Sequence, residues 1–214
     1  MGILDALRFS EQGIVENHTC LMERNALFRR YGYDTEESVA FVLSEALPLP
    51  GPVLEIGSGK DRFLAALLRH ASRVATIDLD FSEQRFARLN VAYESPAGKA
   101  EFLIADAGDL PFGERAFHSA VSMNALHQMK NLPRILDELL RVVRPQRKIV
   151  LADFSEEGFA IFDQIHLHEG RSHERIQYSL EDLVDYFTAK RWSAVLRHGG
   201  CQKILIASKE PADG

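Results

Sequence analysis

Cysteine is scarce in this 214-residue chain. Cys20 and Cys201 form neither a disulfide framework nor a metal-ligand spacing, so no metal is expected. Long apolar runs are also missing. No stretch reaches the ~20 residues that cross a bilayer, and the N-terminus lacks the basic-then-apolar order of a secretory leader. A cytoplasmic protein without a membrane segment is the expectation. No long basic run appears, and the net charge is −6, which speaks against holding nucleic acid by its phosphates. Internal repeats and low-complexity segments are absent too. What is present is ordinary for a globular protein, 46% hydrophobic and 26% charged, with length enough for one domain with a substantial core.

The stretch that organises the chain is Val53-Leu54-Glu55-Ile56-Gly57-Ser58-Gly59-Lys60-Asp61-Arg62-Phe63-Leu64. It reads as a buried strand (Val53 to Ile56), a glycine turn (Gly57 to Gly59) and a helix from Asp61 onward. Two glycines one residue apart allow a sharp turn and let a ligand lie on bare main chain. The helix aims free N–H groups into the same crevice. The dinucleotide fingerprint G-x-G-x-x-G fails, because Arg62 stands where its third glycine would pack helix against strand. The P-loop fails as well, since Asp61 follows Lys60 where Ser or Thr is required. Asp78 ends the next apolar run, about 20 residues on, where a carboxylate accepts both ribose hydroxyls. The pattern therefore supports a ribose-bearing ligand without a clear pyrophosphate holder.

Four stretches carry a family resemblance. They are Val53-Leu54-Glu55-Ile56-Gly57-Ser58-Gly59, Ile77-Asp78-Leu79-Asp80, Ala105-Asp106-Ala107-Gly108-Asp109-Leu110-Pro111-Phe112 and Glu138-Leu139-Leu140-Arg141-Val142-Val143-Arg144-Pro145. In order and spacing they resemble the class I S-adenosylmethionine-dependent methyltransferases. The resemblance implies an α/β, doubly wound, Rossmann-like, mostly parallel seven-stranded sheet with a C-terminal antiparallel hairpin. It implies S-adenosyl-L-methionine as cofactor. The residues expected to hold it are Glu55, Gly57, Ser58, Gly59, Asp78, Leu79, Asp106, Ala107 and Asn124. Glu55 orders the loop or reaches the amino group, Asp78 takes the ribose, and Asp106 takes the adenine amine beside the Ala107 backbone. The competing reading of Asp106 is a cap on the turn before Leu110-Pro111-Phe112.

Along the chain, residues 1–50 are expected to form N-terminal helices that either pack on the sheet or close over the cofactor. Val15 to Tyr31 is one such helix, with Leu21, Asn25 and Phe28 on one side. Asp34-Thr35-Glu36-Glu37 opens a second, stopped by Pro48-Leu49-Pro50-Gly51. His18, Arg29 and Arg30 are expected to be solvated. Residues 51–154 make the cofactor-binding core, with helix Phe63 to His70, strand Arg73 to Ile77, a helix from Ser82 with Phe86 and Leu89 inward, and strands Glu101 to Ala105 and Phe117 to Met123. The family often has an acid at the place of His118. Leu132 to Val143 is expected as a helix ended by Pro145, and Lys148 to Asp153 as the fifth strand. Where the family usually carries a glycine pair, Gln146-Arg147 stands; Asp61 likewise replaces a frequent third glycine.

Residues 155–178 read as a helical insertion after the fifth strand, running to about Glu169 with Gly170 as its stop. It holds His166, His168, Glu169, Arg171, His173 and Glu174, and its readings are a solvated helix, a lid over the substrate, or a metal site. His166 and His168 lie about 200° apart on a helix and cannot clasp one ion. Residues 179–209 supply a helix from Ser179 and two strands, Trp192 to Arg197 and Gln202 to Ala207, around His198-Gly199-Gly200-Cys201.

Methyl transfer by in-line displacement asks the protein mainly for alignment, worth about 7–11 kcal/mol. A base is needed only for a protonated acceptor. His127, His166 and Tyr178 are the candidates to face the acceptor, with His127 either a general base or a polar lining group. No Pro-Pro-aromatic follows Asn124, so the amine-methylating signature is missing. A small-molecule acceptor is expected; the oligomeric state is not legible. Two rivals stand beside this reading, a module that binds S-adenosylmethionine without transfer and an NAD-dependent oxidoreductase.

Overall fold

The computed structural model describes residues 9–60, 62–94, 98–170 and 178–209. Asp61, Arg171, His173 and Glu174 lie outside them. In order, the elements are α1 (Glu11–Arg30), α2 (Thr35–Ala46), β1 (Val53–Ile56), α3 (Phe63–Leu67), β2 (Arg73–Asp78), α4 (Phe81–Glu94), β3 (Lys99–Ile104), β4 (Phe117–Met123), α5 (Leu132–Val142), β5 (Val143–Phe154), α6 (Glu156–His168), α7 (Leu180–Ala189), β6 (Ser193–Gly199) and β7 (Gln202–Ser208).

The sheet has seven strands in the order β3-β2-β1-β4-β5-β7-β6. The first five run parallel, and β7 is antiparallel to both its neighbours. All four residues of β1 are buried, as a strand covered by helices on both faces requires. On one face Leu54 and Ile56 meet Leu136 and Leu139 of α5 and Phe187 of α7. On the other, Val53 and Val74 meet Val42 of α2 and Leu64 and Leu67 of α3. The chain moves outward from β1 to β3, then returns to β4 on the other side of β1. That reversal leaves a crevice at the carboxyl ends of β1 and β4, where such sheets take ligands.

Helix starts follow local chemistry. The Asp34 carboxylate accepts from the amides of Glu36 and Glu37. Ser179 and Asp182 form a capping box at α7, and Ser155 caps α6 by accepting from Gly158 N. Gly170, at φ +68°, follows the end of α6. The β6–β7 hairpin turns on Gly200 and Cys201, both left-handed (φ 55° and 58°), as a two-residue turn of this twist demands. The sequence placed both glycines in that turn; Gly199 instead ends β6.

Three further expectations need correction. Helix α3 ends at Leu67, not His70. Helix α5 is ended not by Pro145 but at Val142, and β5 begins at once. Between Phe117↔Val143 and Ser119↔Lys148 the pairing slips, so residues 144–147 bulge out of the β4–β5 ladder. Gln146 and Arg147 thus sit in a bulge at the amino end of β5, far along the strand from the crevice. His18 is half-buried, with its ring stacked on Tyr93 at 3.6 Å where α1 lies on α4.

Candidate active site

Strand β1 delivers Glu55 and the glycine turn to the crevice. Gly57 N and Ser58 N donate to Ile77 O at 2.9 and 3.3 Å, which ties the turn to β2. Gly57 has φ +79°, and a Cβ there would overlap the Ala125 methyl. Only glycine fits both conditions. Asp78, at the end of β2, accepts from Gly59 N at 2.9 Å through one oxygen and from Asp80 N at 3.0 Å through the other. The carboxylate is half-buried and already shapes the loop it faces. Glu55 is 1% exposed and accepts from Thr76 Oγ1, its register partner on β2. Burial raises its pKa from 4.5 to about 7; the Thr76 hydroxyl opposes the rise and the nearby Asp78 adds to it.

Beyond the loop the lining turns apolar. Leu79, Phe81 and Ile104 are exposed by 70%, 53% and 49% at the carboxyl ends of β2 and β3 and the start of α4. Large apolar side chains left open beside a carboxylate suit a flat, partly apolar ring. Asp106 is exposed and its Oδ1 accepts from Gly108 N at 2.8 Å. It therefore caps its own turn, while Ala107 is buried in the core cluster. Ser58 Oγ is buried with no hydrogen-bond partner among the described residues.

The other half of the crevice is built on β4 and β5. Asn124 leaves β4 with φ +54°, its amide donating to Tyr33 Oη at 3.3 Å. Three residues on, His127 is 1% exposed. Its Nδ1 lies 2.7 Å from Asp153 Oδ1, and its backbone N donates to Oδ2 at 2.9 Å. Tyr178 Oη donates to the same Oδ2 at 2.7 Å, and Phe154 N donates to Oδ1 at 2.9 Å. One buried carboxylate thus gathers four donors, the arrangement that makes such burial tolerable. With Nδ1–H held by Asp153, Nε2 is the acceptor nitrogen, 3.2 Å from the Gln128 amide. Burial, with the Asp153 charge behind it, pushes the Tyr178 hydroxyl far up, so it stays a donor.

Aromatic rings pack around His127. His127 faces Phe159 at 5.4 Å and Phe154 at 5.8 Å. Phe162 bridges Phe154 at 4.5 Å and His166 at 4.9 Å, so His166 joins the site through the ring layer. Phe28 of α1 meets Phe162 at 5.3 Å. Among the described residues no group of three His, Cys, Asp or Glu side chains is placed to hold a metal. His118 lies at the amino end of β4, its Nδ1 3.2 Å from Pro50 O, away from the crevice.

The sequence reading missed three features of this site. Asp153 was readable as an acid at the carboxyl end of an apolar strand, Leu151-Ala152-Asp153. Tyr33 carried no signal, since its partners Asn124 and Gln202 are distant in the chain. Phe81 and Ile104 carried no mark of a site in the sequence, and both are open.

Residues 54–151 match the family model described as a methyltransferase domain. The O-methyltransferase cnsE of Penicillium expansum is 31% identical over 102 residues, 47% of this chain and 37% of that protein. The demethylmenaquinone methyltransferase of Clavibacter sepedonicus is 36% identical over 105 residues, 48% of this chain and 41% of that protein. The matches thus span less than half the length of either relative. A putative S-adenosyl-L-methionine-dependent methyltransferase of Methanococcus maripaludis superposes with a TM-score of 0.65 at 14% identity, covering 96% of both chains; that likeness concerns the fold alone.

Proposed function

We propose, from the premise that this chain belongs through residues 54–151 to the class I S-adenosylmethionine-dependent methyltransferases, that it methylates a hydroxyl of a small planar aromatic or quinol-like acceptor. The observation that carries this reading is the buried His127–Asp153–Tyr178 array. It stands at the carboxyl ends of β4 and β5, beside the glycine turn.

The residues present fit the cofactor. Gly57 and Gly59 offer bare main chain, Ser58 an unmatched hydroxyl, Asp78 a carboxylate for the ribose, and Leu79, Phe81 and Ile104 an apolar bracket for the adenine. S-adenosylmethionine, when bound, supplies an electrophilic methyl group on a sulfonium. The chain's own residues do the rest. His127 Nε2, once the Gln128 amide has moved off it, takes the acceptor's hydroxyl proton as the oxygen gains its methyl and the sulfonium leaves as a thioether. Asp153 fixes the Nδ1–H tautomer and stabilises the imidazolium that results. Tyr178 Oη and the two backbone amides keep the Asp153 carboxylate aimed. Phe154, Phe159 and Phe162 pack on one another and on His127 and keep water from the Asp153 carboxylate.

One name among the relatives, an O-methyltransferase, is in keeping with a hydroxyl acceptor; another, a demethylmenaquinone methyltransferase, is in keeping with a flat quinol-like ring but not with the hydroxyl as the acceptor atom. The module without transfer loses one ground, since Gln146 and Arg147 lie in the β5 bulge and not at the crevice. Labelled-methyl transfer to a panel of phenols, quinols, amines and thiols tests the proposal. Incorporation into hydroxyl acceptors, with a rate that falls when Asp153→Asn takes away the group orienting His127, is the expected outcome. Transfer to amines or thiols alone would overturn it.

A further inference from the structure

A second cavity lies at the opposite end of the strands, by the amino end of β5. It has a volume of about 1080 Å³ and is lined among others by Arg115, Arg144, Arg191, Lys209, Gln146 and Trp192. Four cations converge from four separate segments: the turn before β4, the β5 bulge, the turn after α7 and the residue after β7. Among the described residues no acidic side chain lines the cavity. Among the described residues none of the four side chains is in an ion pair, although Arg29, Arg69, Arg73, Arg141, Lys190 and Lys203 all are. Acids outnumber bases in this chain by 31 to 25, so a basic hollow without an acid runs against its composition.

The backbone contributes to the convergence. The slip of residues 144–147 out of the sheet puts Arg144 and Gln146 on the cavity wall. Arg144 Nε donates to Arg115 O at 3.2 Å, so the two arginines are held together. Arg115 and Arg191 have φ of 56° and 61°, a left-handed conformation that a long side chain takes only at a cost. Like charges gathered in one hollow repel, and an anion with several oxygens relieves that repulsion. Guanidinium forks match tetrahedral oxyanions two bonds at a time.

We propose that this cavity binds a small soluble molecule carrying a phosphate-class oxyanion. The cavity is separated by the length of the strands from Gly57 and His127, so the ligand is an effector or anchor and not the methyl acceptor.

Trp192 is the chain's one tryptophan and lines the cavity, so its fluorescence reports occupancy directly. The test titrates the full chain with inorganic pyrophosphate at constant ionic strength, with sodium chloride as the control. The expected result is a saturable change in Trp192 emission, at least tenfold weaker in affinity in Arg144→Gln/Arg191→Gln and absent with chloride. A Lys209→Gln variant gives the same readout should the double variant not fold. No saturable change, an equal response to chloride, or unaltered affinity in both variants would overturn the proposal. So would displacement of pyrophosphate by a single-stranded oligonucleotide with affinity rising with its length, or by vesicles of anionic lipid, since each points to a polymer or a membrane surface instead.

Discussion

Glu55 makes the protein's stability depend on pH in a direction opposite to that of an ordinary paired carboxylate. It is 1% exposed on the central strand, with Thr76 as its hydrogen-bond donor. Its pKa rises from 4.5 to about 7 on folding. The folded state therefore holds the proton more tightly than the unfolded chain. The favourable contribution is complete below pH 4.5 and is lost as pH climbs through 7. The displacement corresponds to roughly 3 kcal/mol between the two limits. Glu55→Gln keeps the shape and an acceptor for the Thr76 hydroxyl but cannot ionise. Any cost of placing its NH₂ is the same at every pH and cancels. Urea unfolding of both proteins at pH 5 and pH 8.5 yields the difference directly. The wild type should lose roughly 2.5 kcal/mol more than the variant over that interval, since the unfolded carboxyl is already mostly ionised at pH 5. Parallel pH profiles would refute the reasoning, because they would mean that Glu55 ionises in the folded protein as freely as in water.

Gly57→Ala places a methyl against Ala125 on a φ of +79°. Thermal unfolding should show at least about 2 kcal/mol of lost stability, from strain and overlap together. Asp153→Asn removes the charge that orients His127; kcat should fall by about 10²–10⁴-fold for hydroxyl acceptors, with KM changed little, in steady-state assays. The same variant should bind S-adenosylhomocysteine as the wild type does, which separates loss of the base from loss of the fold. Phe187→Ala, at a fully buried α7 position, should cost about 3–5 kcal/mol in denaturant unfolding.

The parts of the fold that sequence made legible are those whose signal is local. Val53–Ile56 and Phe117–Met123 are apolar runs bounded by turns, and both strands fall where the pattern put them. Ser179 and Asp182 mark the start of α7 by a chemistry that spans only four residues. Pro145 misled because a proline reads as a break. It is tolerated in β5 since residues 144–147 have slipped out of the ladder and need no hydrogen bond there. Asp153 stayed hidden for a different reason. Its partners His127 and Tyr178 stand 26 and 25 residues away, and only the sheet order brings β4, β5 and the start of α7 to one edge. Asp78 and Gly59 were separable by eye because the glycine-to-acid interval is itself the signal.

The central claim is that the crevice above β1 and β2 receives the adenosine of a charged sulfur compound. Calorimetry with S-adenosylmethionine, S-adenosylhomocysteine and NADH, on the wild type and on Asp78→Ala, tests it most directly. Both sulfur nucleosides should bind and NADH should not. The variant should lose at least about tenfold in affinity, or 1.4 kcal/mol, as the ribose forfeits its acceptor and Gly59 its anchor. Binding of NADH alone, or equal affinity in wild type and variant, would contradict the account.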